Sequence, residues 1–160
     1  GISCAVGMAL SGKLLNKDYR VYTLLGDGEI QEGQVWEASM FAGFKKLDNL
    51  VVIVDNNGLQ IDGSVEDVCS PYPIADKFKA FNFNVIEIED GNDMEQIAEA
   101  FKKAKETKGM PSAIIAHTVK GKGISFMENQ VGWHGKAPND EEYRIAMEEL
   151  EKAGEALCQK

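Results

Sequence analysis

Two short segments carry the residue types that hold a hard cation against an anion: Gly26-Asp27-Gly28 and, further along, Asn56-Asn57-Gly58. Asp27 offers a carboxylate and Asn57 a carboxamide oxygen. Magnesium or calcium takes such oxygen ligands, a diphosphate supplies two more, and water or a backbone carbonyl completes the shell. Gly28 lets the backbone come close to a phosphate, and its N–H lies where the chain turns toward a helix N-terminus, which favours anions. Each residue alone has a plainer reading. An Asp after a strand caps a helix or forms a turn, and Asn-Asn-Gly makes a turn because Asn and Gly tolerate positive φ.

Two other phosphate motifs do not fit. The dinucleotide fingerprint requires a third glycine where this chain has Gln31. Lys120-Gly121-Lys122-Gly123 lacks the upstream glycine and the Lys-Ser/Thr pair of a P-loop.

Both segments end short apolar runs, Val21 to Leu25 and Leu50 to Val54, which read as strands buried on two faces. Between them Trp36, Met40, Phe44 and Leu47 are spaced as the buried face of a helix, so the unit is strand, helix, strand. Ile2, Ala5, Val6, Ala9, Leu10 and Leu14 describe an earlier helix ending near Asn16. The pattern continues with Val85 to Ile88 as a strand nearer an edge and a helix on Met94, Ile97, Phe101 and Ala104. Ala113 to Ala116 is a fourth run, and a last helix has Tyr143, Met147, Leu150 and Leu157 as its buried side. Alternation of this kind predicts an α/β fold, a doubly wound parallel sheet with helices on both faces. In such a sheet ligands sit beyond the carboxyl ends of the strands, where Asp27 and Asn57 fall together.

The chain has 160 residues, 44 % hydrophobic and 27 % charged, which predicts one domain over residues 1–160. Its net charge of −9 argues against unaided binding to nucleic acid or an anionic membrane. Much of that charge lies between Asp140 and Glu155 and reads as a solvated helix face. Cys4, Cys69 and Cys158 are odd in number and far apart, without CxxC, so a reducing, cytoplasmic setting is expected. No apolar run reaches the roughly 20 residues that span a bilayer. The chain begins at Gly1 without Met, so a missing amino-terminal part is expected.

The stretch from Gly26 to Gly63, GDGEIQEGQVWEASMFAGFKKLDNLVVIVDNNGLQIDG, resembles the binding motif of thiamine-diphosphate (ThDP) enzymes. Within that group Gln31-Glu32-Gly33 and Trp36-Glu37-Ala38 are most similar to transketolase. The resemblance covers the whole chain: Ile2 to Leu10 looks like the helix after the family's glycine-rich phosphate loop, and His134-Gly135-Lys136-Ala137-Pro138 resembles a late His-Gly-x-Ala-Pro segment.

The resemblance implies the ThDP diphosphate-binding fold, with Asp27 and Asn57 ligating Mg2+ or Ca2+ by side chain and Leu59 by backbone carbonyl. Gly28 and His134 would face the diphosphate, and His134 would also touch substrate. Glu32 and Glu37 look like acidic positions near the subunit interface of a dimer, where Glu32 would help couple two active sites. His117 is assigned no role. The implied reaction moves a two-carbon ketol unit from a ketose phosphate to an aldose phosphate, in pentose phosphate metabolism. The glutamate that activates ThDP lies on another domain, so a pyrimidine-binding subunit or domain is the expected partner and the chain alone is expected to be inert. Two rivals are another ThDP enzyme, of the 1-deoxyxylulose-5-phosphate synthase or 2-oxoacid dehydrogenase type, and a non-catalytic subunit that keeps the fold.

Overall fold

Strand residues alternate between two apolar faces, and each face collects its own helices. The computed structural model describes residues 1–158. Its main strands are β1 (Val21–Gly26), β2 (Leu50–Asn56), β5 (Asn84–Ile88) and β6 (Ser112–His117), with the short β3 (Leu59–Gln60) and β4 (Gly63–Ser64) between the second and third of these. The four main strands form one parallel sheet in the order β1-β2-β6-β5. Gly26 pairs with Asp55, and Asn56 with His117, so the carboxyl ends of β1, β2 and β6 are level with one another.

One face carries Val21, Leu25, Leu50, Val52, Val54, Ala113 and Ile115. Against it pack α1 (Ile2–Leu14), α2 (Gly33–Phe44) and α4 (Ile74–Ala80), with Phe78 fully buried. The other face carries Val51, Ile53, Ile86, Ile88, Ile114 and Ala116, covered by α5 (Met94–Glu106). The doubly wound arrangement expected from the alternation is therefore present, and β5 lies at an edge as expected. Helical crossovers of the right-handed βαβ kind bring all strand ends of one sense to one side.

Four core expectations are corrected. Strand β1 is buried on one face only, since Tyr22 and Leu24 are exposed. It is the other edge strand, and Phe101 of α5 reaches it with a ring that meets Tyr22 edge-on at 5.6 Å. On α2 the buried stripe is Val35, Ala38, Ser39, Ala42 and Gly43, while Met40 and Phe44 face outward. Small residues win that face because the helix lies so close to its neighbour: a Cβ on Gly43 would fall 1.8 Å from the Phe81 carbonyl oxygen. Trp36 is half-buried against Phe78 and Phe81, and Leu47 is buried just beyond the helix. In the last helix, α6 (Asp140–Cys158), Ala146 is the buried residue among those described, and Tyr143, Met147, Leu150 and Leu157 are exposed. Met94 is also exposed, at the start of α5.

Between β2 and β5 the sequence pattern predicts no elements, yet four short ones occur, α4 among them. β3 and β4 pair as a two-residue hairpin, and α3 (Val65–Cys69) follows. The Ser64 hydroxyl caps α3 by accepting the Asp67 N–H at 3.1 Å, as Asp93 caps α5 through the Glu95 N–H. Elements of a few residues are too short for hydrophobic periodicity to register.

Candidate functional site

Beyond Gly26 the sheet ladder ends and Asp27 takes over its role. Its N–H donates to the Asp55 carbonyl at 3.1 Å. Its carboxylate accepts the Gly28 N–H at 2.8 Å through Oδ1 and the Gly58 N–H at 2.5 Å through Oδ2. One buried side chain thus joins the end of β1 to the turn after β2. Burial pushes the Asp27 carboxyl up; the Gly58 and Gly28 N–H groups oppose it, the Asp55 carboxylate adds to it, and the net direction is upward. A carboxylate in that state gains from a nearby cation.

Asn57 shapes the next step. Its Oδ1 accepts the Leu59 N–H at 3.0 Å, an Asx turn that delivers the chain into β3. Gly58 sits between them at φ +78°, in the left-handed region that glycine enters without a Cβ penalty. The hairpin then folds over Gly28, where a Cβ would lie 2.8 Å from the Gln60 Cβ. Glycine is thus required at position 28 by this close approach. Its N–H is already engaged by Asp27, and a single 3-10 turn, Glu29–Gln31, separates it from α2. The Gly28 N–H, expected where the chain turns toward a helix N-terminus, is held in this structure by the Asp27 carboxylate.

These residues border a cleft of about 490 Å³. Asp27, Gly28, Asn57, Leu59 and His134 all line it, so residues from three separate stretches of the sequence come together as expected. His134 is exposed and follows the short turn Val131–Trp133, which is anchored by the Trp133 Nε1–H donating to the Phe126 carbonyl at 3.1 Å. Glu32 does not line the cleft; it is exposed at the N-terminal boundary of α2, and Glu37 is exposed on the same helix. His117 lies outside it too, on the carboxyl end of β6.

Gly26, Lys120, Asp55, Glu29, Gln60 and Ile61 complete the lining, and sequence reasoning gave the last five no place in the site. Lys120 stood out there only as the lysine of a failed P-loop match. The signal that finds it is its place just after β6, at the same carboxyl edge as Asp27 and Asn57. Among the described residues there is no group of three or more His, Cys, Asp or Glu side chains placed to hold a metal. The donors at Asp27, Asn57 and the nearby backbone carbonyls offer hard-oxygen chemistry that a diphosphate would complete.

The family described as "Transketolase, thiamine diphosphate binding domain" matches residues 1–154. The chain belongs to this family. Transketolase-family relatives include the 6-deoxy-6-sulfo-D-fructose transketolase subunit SqwG of Clostridium sp. (strain MSTE9), 43 % identical over 96 % of this chain and 56 % of that protein. An apulose-4-phosphate transketolase subunit of Phocaeicola vulgatus is also 43 % identical, over 98 % of this chain and 56 % of its own length. The chain thus spans about half the length of these curated relatives. Transketolase from Campylobacter jejuni superposes with a TM-score of 0.88 at 34 % identity, covering 94 % of this chain and 24 % of that one.

Proposed function

We propose that this chain supplies the diphosphate and metal half of a transketolase active site, transferring a two-carbon ketol unit from a ketose phosphate to an aldose phosphate. The observation that carries the reading is the cleft in which Asp27 and Asn57, from adjacent strand ends, meet Leu59 and the basic side chain of Lys120. Asp27 and Asn57 would hold Mg2+ or Ca2+ by side-chain oxygen and Leu59 by its carbonyl. Gly28 keeps the hairpin close enough to form the wall. Lys120 offsets the diphosphate charge, and His134 donates to the diphosphate or to a substrate oxygen, which imidazole does in either protonation state.

ThDP, when bound, supplies the carbanion that carries the two-carbon unit. The chain's own residues hold, orient and neutralise the diphosphate end. Activation of the cofactor falls to a pyrimidine-binding subunit or domain, and the names of the relatives as subunits support such a partner. Glu32 at the N-cap of α2 and Glu37 on the helix would contact that partner, in an assembly with paired sites. The relatives' substrates, a sulfofructose and apulose 4-phosphate, support a modified or branched sugar as readily as the sugars of the pentose phosphate route. The three free and exposed cysteines fit a reducing cytoplasm.

Calorimetric titration of ThDP with Mg2+ into the assembled protein tests the reading, wild type against Asp27→Ala. Affinity lost in the variant is the expected result; equal affinity in both would overturn the metal site.

A further inference from the structure

Asn56 is the last residue of β2 and is buried, and its carboxamide is gripped from two directions. The Tyr72 hydroxyl donates to Asn56 Oδ1 at 2.7 Å, and Asn56 Nδ2 meets His117 Nδ1 at 3.1 Å. With Oδ1 taken by a hydroxyl, Nδ2 is the donor toward His117, which makes Nδ1 the acceptor and puts the ring proton on Nε2. Backbone pairing adds a third hold, since the Thr118 N–H donates to the Asn56 carbonyl at 3.3 Å. Tyr72 comes from the segment between α3 and α4, and His117 from β6. Two residues that do not line the cleft thus fix the one that launches the Asn57-Gly58 turn.

We propose that Tyr72 and His117 are positioning residues for the metal: by clamping Asn56 they set the orientation of the Asn57-Gly58 turn, and so the geometry of the oxygens offered to the cation. This rests on the metal site proposed above. Rotation of the backbone at Asn56 would swing Asn57 Oδ1 and also the Gly58 N–H that holds Asp27 Oδ2. A side chain held at both its oxygen and its nitrogen resists that rotation. Magnesium demands near-ideal octahedral geometry, whereas calcium accepts irregular and larger shells. Loosening the clamp should therefore weaken Mg2+ more than Ca2+.

That difference separates positioning from simple destabilisation, which would weaken both ions alike. Tyr72 and His117 are themselves exposed enough for substitution without loss of the core. The experiment is calorimetric titration of ThDP into the full protein assembled with its pyrimidine-binding partner, in Mg2+ and separately in Ca2+. The variants are Tyr72→Phe, His117→Leu and His117→Asn, with Asp27→Ala as control and thermal melts of each cofactor-free protein. Tyr72→Phe and His117→Leu should weaken Mg2+-supported binding about tenfold and Ca2+-supported binding by no more than about twofold. His117→Asn, which keeps an acceptor near the position of Nδ1, should recover much of the Mg2+ loss. No loss in either ion, or equal losses in both, with Asp27→Ala still defective, would overturn the positioning role alone. Unchanged binding in Asp27→Ala would overturn the metal site, and the positioning role with it.

Discussion

Asp27 and Gly58, from turns after two adjacent strands, are joined by a 2.5 Å hydrogen bond from the Gly58 N–H to Asp27 Oδ2. That bond ties the end of β1 to the turn after β2 at the cleft. It also gives Asp27 two duties, since the same carboxylate that holds the turn is the one proposed to hold the metal. Asp27→Asn keeps the volume and removes the charge: its one oxygen can still accept the Gly58 N–H, while its NH2 faces the Gly28 N–H, so one of the two clamp bonds is lost with the charge. Mg2+-supported ThDP affinity is expected to fall at least roughly 10–100-fold, the range for residues one step removed from a metal. Titration calorimetry on the assembled protein reads it.

Gly58→Ala tests the turn without touching a ligand. At φ +78° an L-residue costs roughly 1–2 kcal/mol. A Cβ there meets nothing within 4 Å, so the cost is conformational rather than steric. Chemical denaturation should show that loss, together with weaker cofactor binding, because the turn relaxes where Asp27 is held.

Gly28→Ala acts by collision instead. Its Cβ would fall 2.8 Å from the Cβ of Gln60, which truncation of Gln60 to alanine leaves in place. Cofactor affinity is expected to fall in Gly28→Ala and in Gly28→Ala/Gln60→Ala. Gly28→Ala/Gln60→Gly should recover part of it. Failure of that recovery would show that the hairpin contact is not what demands glycine.

Asp48 gives a pH-dependent term away from the site. Burial raises its carboxyl, but the Gly109 N–H at 2.9 Å, the Lys13 ammonium and the charge of Lys108 outweigh it, and the net direction is downward. A depressed carboxyl stabilises the fold above its unfolded value of 3.8, and that contribution is lost as pH falls through its lower folded value. Asp48→Asn should therefore destabilise by about 1–2 kcal/mol at pH 7, with the gap narrowing below about pH 4. Urea titrations at the two pH values measure it.

His134 is exposed, lines the cleft and is placed by Trp133 rather than by its own ring. His134→Ala is expected to leave the melting temperature unchanged while lowering turnover of the assembled protein. Glu32→Gln, outside the cleft, should leave ThDP affinity within about twofold, since exposed charges contribute little. Its effect should appear in association with the partner subunit.

The sequence by itself determined the α/β alternation and the parallel sense of the strands, and it set Asp27 and Asn57 at two strand ends; Leu59 and His134 entered only through the resemblance to the ThDP-binding motif. Strand periodicity and turn chemistry are local properties, and strand ends in a parallel sheet converge on one edge whatever the packing. Tertiary structure alone decided which side chains the core covers. Met40 and Phe44 lost their expected burial to the small residues of α2 because helices pack where backbones approach most closely, as Gly43 against Phe81 records. Tyr22 and Leu24 are apolar yet exposed because β1 is an edge strand, a fact of strand order that no single strand's sequence contains. The Asn56 clamp is of the same kind. Tyr72 and His117 lie 16 and 61 residues from Asn56, and only the fold brings their hydrogen bonds to one carboxamide.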